Sequence, residues 1–84
     1  METTKILKSW RAKKAYTQED VSNELSVTRN TYISYENNPL NCPLNLIFKI
    51  VKSLDGNIEE FLYALKQDYM SYNNVPLKKK NRRK

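Results

Sequence analysis

The chain has 84 residues, with one cysteine, no histidine, and 15 Lys and Arg against 9 Asp and Glu. This length predicts a single small domain, and the residue counts exclude an internal disulfide and any metal site or acid–base chemistry that depends on histidine. No apolar run approaches the ~20 residues of a membrane span, and the N-terminus lacks the apolar segment of a signal peptide. We therefore expect a cytoplasmic protein with no bound cofactor, metal or small-molecule ligand.

The excess positive charge lies at the C-terminal end of the chain. Residues 78–84 hold six of the 15 basic residues, so residues 1–77 carry nine positive and nine negative charges. With no apolar residue and no periodicity, this tail is predicted to be disordered. Such a tail is typical of proteins that bind nucleic acid, although a solubilising or merely tolerated end would look the same. Its basic residues are Lys78, Lys79, Lys80, Arg82, Arg83 and Lys84.

The first predicted helix runs from Thr3 or Thr4 to Lys14. Apolar residues one turn apart give it a narrow buried stripe. The stripe consists of Ile6, Leu7 and Trp10.

Two short helices follow over residues 17–37, joined by a turn at 25–27. Thr17 and Thr28 have the hydroxyl side chains that cap helix N-termini, and Asp20 adds negative charge to the first turn. Each helix also has apolar residues three or four apart, which form one apolar face. These pairs are Val21 and Leu25 in one helix, and Tyr32 and Tyr35 in the other. Because two short helices cannot bury a core alone, they need a scaffold, and the polar face of the second is left free.

Asparagines and prolines then predict a loop over residues 37–42. Pro43 is placed as the first residue of an apolar fourth helix that ends near Asp55. Gly56, the only glycine, is predicted to be the left-handed residue that closes this helix.

A last helix is predicted over residues 58–73. Its apolar residues Ile58, Leu62, Leu65, Tyr69 and Tyr72 are spaced like a coiled-coil seam. The first half of the helix is expected to close the core. The second half extends beyond a complete five-helix domain, where exposed apolar residues indicate a partner chain. Leu65, Tyr69 and Tyr72 are therefore the candidate contacts of a homodimer.

Several short stretches, in this order, carry a family resemblance. They are Leu7 and Arg11, Thr17-Gln18-Glu19-Asp20-Val21, Val27-Thr28-Arg29-Asn30-Thr31, Tyr35-Glu36-Asn37, and Asn57 to Leu62. The segment from Ile6 to about Leu65 resembles the helix-turn-helix domain of phage repressors and Cro proteins, the lambda-repressor-like group that is also widespread in bacterial regulators. The resemblance implies an all-α, five-helix domain over residues 1–74 that binds double-stranded DNA, followed by a flexible tail at 75–84.

The resemblance also implies roles for individual residues. A recognition helix at 28–37 would enter the major groove of an operator, and Arg11 and Glu36 would form a structural ion pair. The expected base contacts are Arg29, Asn30, Ile33 and Ser34. The expected phosphate contacts, which also draw on the loop sequence, are Gln18, Thr17, Thr28, Asn38 and Asn41.

The candidate base contacts have suitable chemistry. Arg29 can bind guanine with two hydrogen bonds, Asn30 can do the same with adenine, and Ile33 can pack on a thymine methyl group. The alternative is that Arg29 meets only phosphate and Asn30 only water. One departure from the family pattern affects the turn, where Ser26 replaces the customary glycine and is expected to adopt a positive φ at a cost of about 1 kcal/mol.

The sequence thus predicts a sequence-specific, DNA-binding transcriptional regulator, acting as a homodimer on a palindromic operator. The alternative is an antitoxin or antirepressor of the same fold, whose main partner is a protein bound through the C-terminal helix. An enzyme is not expected, because the chain has no histidine, no paired carboxylates with a pocket to hold them, and no glycine-rich phosphate loop.

Deleting residues 78–84 tests the role of the tail. Because the remaining chain has no net charge, we expect weaker DNA binding and a shallower dependence of log K on log salt, by about 0.9 for each phosphate that the tail neutralises. Binding of full-length and shortened protein is measured by fluorescence anisotropy across a salt series. An unchanged affinity and slope would contradict the prediction.

Overall fold

The computed structural model describes residues 1–73, in which all regular structure is helical. The all-α prediction with five α-helices and a central helix-turn-helix is confirmed. The helices are α1 (Glu2–Lys14), α2 (Gln18–Leu25), α3 (Arg29–Asn37), α4 (Leu44–Ser53) and α5 (Ile58–Asn73), with a 3₁₀ turn at Pro39–Asn41. The predicted tail at 75–84 and the side chain of Tyr72 lie outside the described residues.

The core draws on all five helices. Each helix contributes at least one side chain that is at most 2% exposed, including Leu7, Val21, Tyr32, Ile50 and Phe61. Around this centre, partly buried side chains pack against the core, among them Ile6 and Trp10 of the predicted α1 stripe. Because every helix adds to one shared core, α2 and α3 are held by the three others.

Three of the helices end in the same way, with a non-glycine residue in the left-handed conformation. These residues are Ala15 after α1, Ser26 after α2 and Asp55 after α4, with φ values of 58°, 60° and 56°. In each case the next amide N–H donates back to a carbonyl five residues earlier, as in Val27 to Ser22 at 3.0 Å. The positive φ predicted for Ser26 is confirmed.

The prediction that Gly56 supplies a left-handed residue is wrong, because Asp55 has that conformation. Gly56 instead makes room for an aromatic ring. A Cβ atom at this position would overlap Cζ3 of Trp10, and the Trp10 ring in turn lies 5.9 Å from the centroid of Phe61. Glycine is therefore required by close packing between the α4–α5 connection and α1.

The start of α1 depends on a side chain from the far end of the chain. The Asp68 carboxylate accepts hydrogen bonds from the Glu2 N–H at 2.9 Å, the Thr3 N–H at 2.8 Å and the Thr3 hydroxyl at 2.6 Å. Asp68 thus caps α1, which begins at Glu2 rather than at the predicted Thr3 or Thr4. This contact also fixes the second half of α5 against the domain.

The apolar residues of α4 and α5 are not all buried. Phe61 is buried, and Ile58 and Leu65 pack against the core, which confirms that the first half of α5 closes it. Leu44 and Phe48, one turn apart on α4, are 57% and 46% exposed. The dense apolar sequence of α4 therefore covers the core and also forms part of the surface.

No helix within residues 1–73 has both the length and the apolar character that crossing a bilayer requires. The same residues contain no group of three or more potential metal-ligating side chains.

The substitution Asp68→Asn tests the cap of α1. Burial alone would raise the pKa of the Asp68 carboxyl, but hydrogen bonds from Thr3 and Glu2 outweigh burial and lower this pKa. A lowered pKa in the folded state means that the carboxylate stabilises the fold above its unfolded pKa, about 3.9, and that this stability is lost as the pH falls through the folded value.

We expect Asp68→Asn to lower the free energy of unfolding by about 1.5–3 kcal/mol at pH 7, the usual contribution of hydrogen bonds to a charged group. The difference from the unchanged protein should shrink towards pH 2. Urea unfolding followed by circular dichroism at both pH values measures it. A difference that does not depend on pH would contradict this role of the carboxylate.

Candidate nucleic-acid interface

The helix-turn-helix is built from two capped helices and a tight turn. The Thr17 hydroxyl accepts from the Asp20 N–H at 3.0 Å, and the Asp20 carboxylate accepts from the Thr17 N–H at 2.9 Å. Thr28 caps α3 by accepting from the Thr31 N–H at 3.1 Å. Both predicted N-caps are confirmed, and together with Ser26 they fix where α2 ends and α3 begins.

One face of α3 points away from the domain. Arg29, Asn30 and Ser34 are exposed and Ile33 is half-buried, and helical geometry places the four within an arc of about 140°. The opposite side of the helix carries Tyr32, which is 0% exposed. The four predicted base-contacting residues therefore share one outward surface on a helix that is held by its other side.

A buried carboxylate attaches α3 to the rest of the domain. Glu36 is 0% exposed, and its two oxygens accept hydrogen bonds from three side chains. Nε of Arg11 lies 2.7 Å from Oε2 and Nη2 lies 3.2 Å from Oε1. The Tyr32 hydroxyl donates to Oε2 at 3.0 Å, and Nε2 of Gln18 donates to Oε1 at 2.8 Å. We call these four residues the Glu36 cluster.

The Glu36 cluster joins three helices. Arg11 belongs to α1, Gln18 to α2, and Tyr32 and Glu36 to α3. Its hydrogen bonds to Glu36 raise the pKa of Arg11, while burial, followed by the nearby Glu36 charge, raises the pKa of the Tyr32 hydroxyl. The ion pair that the family resemblance implied is thus present, and it orients α3 relative to α1 and α2.

Arg11 also stabilises the connection into α2. Its Nη1 donates to the Tyr16 carbonyl at 3.0 Å. One guanidinium group therefore links α1 to the chain just before α2 as well as to α3.

A shallow cleft of about 510 Å³ lies beside the first turn of α2. Arg29 supplies positive charge to its lining and Glu19 one negative charge, while Arg11, also in the lining, is paired with Glu36. The helix dipole at the start of α2 adds positive potential. This arrangement suits a phosphate group.

The structure places the predicted phosphate-contacting residues at two locations. Thr17, Gln18 and Thr28 lie at the starts of α2 and α3, while Asn38 precedes the 3₁₀ turn after α3 and Asn41 is its last residue. Asn41 is exposed, but Oδ1 of Asn38 is buried and has no hydrogen-bond partner within residues 1–73. Since a carbonyl oxygen cannot donate to phosphate, only the Asn38 amide nitrogen could make the predicted contact.

Two contacts of α3 were missed by sequence reasoning. The Thr4 hydroxyl donates to the Glu36 carbonyl at 2.7 Å and so satisfies an open carbonyl at the end of the helix. Gln18 bonds to Glu36 rather than pointing wholly to solvent. Neither contact has a local sequence signal, because the partners lie 32 and 18 residues apart.

The candidate dimer residues differ in exposure. Leu65 packs against the core, whereas Tyr69 is 38% exposed. Tyr63 and Met70 are more exposed, at 64% and 57%, and helical spacing places them about 120° and 100° around α5 from Tyr69. The outer surface of α5 is therefore broader than the predicted seam.

Comparison with known protein families finds a match to one described as helix-turn-helix, over residues 7–61. This range is more than half of the chain and contains all of α2, the turn and α3. The chain belongs to the helix-turn-helix family. It is thus a DNA-binding helix-turn-helix regulator. Comparisons with curated proteins and with solved structures gave no match.

The substitution Arg11→Met tests the Glu36 cluster in this helix-turn-helix domain. It keeps an apolar side chain of similar length but leaves the buried Glu36 carboxylate without its counter-charge. We expect a loss of about 3–5 kcal/mol in the free energy of unfolding, as is usual when one member of a buried pair is removed.

The matched control is Arg29→Met, which removes an arginine that is exposed. Such surface changes usually stay within about 0.5 kcal/mol. Urea unfolding of both variants gives the comparison, and equal destabilisation would contradict a structural role specific to Arg11.

Proposed function

We propose that this protein regulates transcription by occupying a specific double-stranded operator, in the manner of Cro proteins and phage repressors. It would act in the cytoplasm, where bacterial or phage DNA is found. The observation that carries the proposal is the outward face of α3, where Arg29, Asn30, Ile33 and Ser34 lie together on a helix fixed by the Glu36 cluster. The major groove of B-DNA admits one such helix.

The side chains on this face offer different base contacts. The exposed Arg29 guanidinium can donate two hydrogen bonds to guanine, and the Asn30 amide can both donate to and accept from adenine. Ile33 supplies an apolar edge for a thymine methyl group. Ser34 donates its hydroxyl proton to the Thr31 carbonyl at 2.8 Å, so its oxygen remains available to accept from a base.

Phosphate groups would bind where helix N-termini meet the groove. The cleft beside α2, with Arg11 and Arg29 in its lining, supports one phosphate contact near Thr17 and Gln18. Thr28 at the start of α3 and Asn41 at the end of the 3₁₀ turn would flank the groove. Because contacts of this kind set the register of the protein on DNA, they would position α3 for base contacts.

The basic tail would supply the sequence-independent attraction. Residues 1–77 have no net charge, and the excess of six lies in residues 78–84. We propose that the tail strengthens binding to any duplex, while α3 discriminates between sequences.

A homodimer would double the contacts. Two copies related by a two-fold axis would place their α3 helices about 34 Å apart, in successive major grooves of a palindromic operator. With Leu65 committed to the core, the proposed contact centres on Tyr69 and Tyr72 in the second half of α5.

A second candidate function has its own support. Tyr63 and Met70 on α5 are 64% and 57% exposed, and large exposed apolar side chains are frequent at protein–protein contacts. The same fold would then serve an antitoxin or antirepressor that binds another protein through α5. DNA binding that survives Tyr63→Ala and Met70→Ala favours the regulator, whereas loss of a co-purifying partner in these variants favours the second candidate.

Selection from a pool of randomised duplex oligonucleotides tests the proposed function. The expected result is one enriched sequence made of two inverted half-sites whose centres lie about one helical turn apart. No enrichment over the starting pool would contradict sequence-specific binding.

The substitution Arg29→Ala tests direct base contact. We expect loss of preference at one base pair in each half-site, with a penalty of about 1–3 kcal/mol on the selected operator and little change on unrelated DNA. Lys8→Ala, which removes an exposed charge from α1, is the control. Equal weakening on all sequences would make Arg29 a phosphate ligand instead.

The substitution Tyr69→Ala tests the dimer. We expect it to shift sedimentation of the protein at high micromolar concentration towards the monomer, since an apolar contact is lost from the interface. Tyr63→Ala, on a different face of the same helix, should leave the dimer intact. A monomeric unchanged protein, both free and on operator DNA, would contradict the proposed homodimer.

A further inference from the structure

We propose that Glu36 is a positioning residue for DNA binding, and that it acts by holding the Gln18 side chain in the orientation that contacts a phosphate. This inference rests on the proposed function, because it assigns a role within the DNA-contacting surface. It gives the buried carboxylate a task beyond the ion pair with Arg11.

The geometry supports a fixed orientation for the Gln18 amide. Gln18 is the first residue of α2, at the edge of the cleft beside Arg29. Its Nε2 donates one proton to Oε1 of Glu36 at 2.8 Å. A primary amide has two N–H donors, so the second remains available to a phosphate oxygen while the first stays bonded.

The carboxylate that holds Gln18 is itself firmly held. Glu36 is 0% exposed, and Arg11 and Tyr32 donate to its oxygens at 2.7 and 3.0 Å. A glutamine at an exposed helix start normally samples many rotamers, and fixing it on DNA costs conformational entropy. Here the bond to Glu36 has fixed the side chain before DNA arrives, so less entropy is lost on binding.

The charges in the cluster are compatible with this role. A carboxylate close to a phosphate would repel it. Here Arg11 of α1 compensates the Glu36 charge by donating two hydrogen bonds to it. The neutral amide of Gln18 then separates the buried carboxylate from the DNA. The cluster thus presents an N–H donor to the groove rather than a negative charge.

The free protein provides the first test. The chain has two glutamines, Gln18 and Gln67, and Gln67 is exposed, so it serves as an internal control. In ¹⁵N-resolved NMR spectra we expect the side-chain amide of Gln18 to show slower exchange with water and lower mobility than that of Gln67. Equal exchange and mobility for the two side chains would overturn the proposal.

A double-mutant cycle on the selected operator provides the second test. Gln18→Met keeps a side chain of similar length but removes the hydrogen bond to Glu36 and the proposed one to phosphate. We expect operator affinity to fall roughly two- to tenfold. Glu36→Gln should cause a comparable loss in the unchanged background and little further loss in the Gln18→Met background. If the fold-loss in operator affinity of the double variant equals the product of the two single losses, the proposal is overturned.

A control separates positioning from general destabilisation. Ile50→Val removes a buried methyl group from α4, outside the Glu36 cluster, and leaves the Gln18 bond to Oε1 in place. We expect it to reduce stability with little effect on operator affinity, measured at a temperature where all variants are folded. If Glu36→Gln does not fold, Gln18→Met with the NMR comparison still decides: an unchanged operator affinity in Gln18→Met would overturn the proposal.

Failure of the proposed function gives a different result. If the unchanged protein enriches no sequence and binds no duplex, the DNA-binding function fails and the positioning role fails with it. If operator binding is observed but the Gln18 amide is mobile or the cycle is additive, only the positioning role is overturned.

Discussion

The buried charge of Glu36 is the constraint on which the arrangement of the helices depends. A carboxylate that is 0% exposed is very costly unless its charge and its lone pairs are all matched. Here the partners come from α1, α2 and α3, with Arg11 also binding the Tyr16 carbonyl. Satisfying one ion therefore requires three helices to meet in one geometry, and in that geometry Arg29, Asn30 and Ser34 of α3 are exposed.

The ends of the chain reinforce this arrangement. Asp68 of α5 caps the start of α1, and the neighbouring Thr4 satisfies the Glu36 carbonyl at the end of α3. The first turn of α1 thus lies between the C-terminal helix and the proposed recognition helix. Residues 1–77 have no net charge, and residues 78–84 carry the excess positive charge. We infer that the folded domain contributes shape and specificity and that the tail contributes affinity.

Features that depend on nearby residues could be predicted from the sequence. The caps at Thr17 and Thr28 involve partners three residues away, and the apolar periods of the helices gave the fold class. The prediction for Gly56 is wrong because glycine is required there by close contact with the Trp10 ring, and Trp10 is distant in sequence. The bonds from Thr3 to Asp68 and from Gln18 to Glu36 span 65 and 18 residues, and no local pattern indicates them. For the candidate interface, residue types and helix periodicity predicted the outward face of α3, but the anchoring of Gln18 required the folded structure.

An NMR titration of the labelled protein with its selected operator tests the central claim most directly, because it shows which surface meets DNA. The amide resonances expected to move are those at the starts of α2 and α3, around Gln18 and Arg29, and those along the outward face of α3. Resonances of the exposed surface of α5 around Tyr63 should stay nearly unchanged. Shifts confined to α5, with none at α3, would contradict the assignment of α3 as the recognition helix.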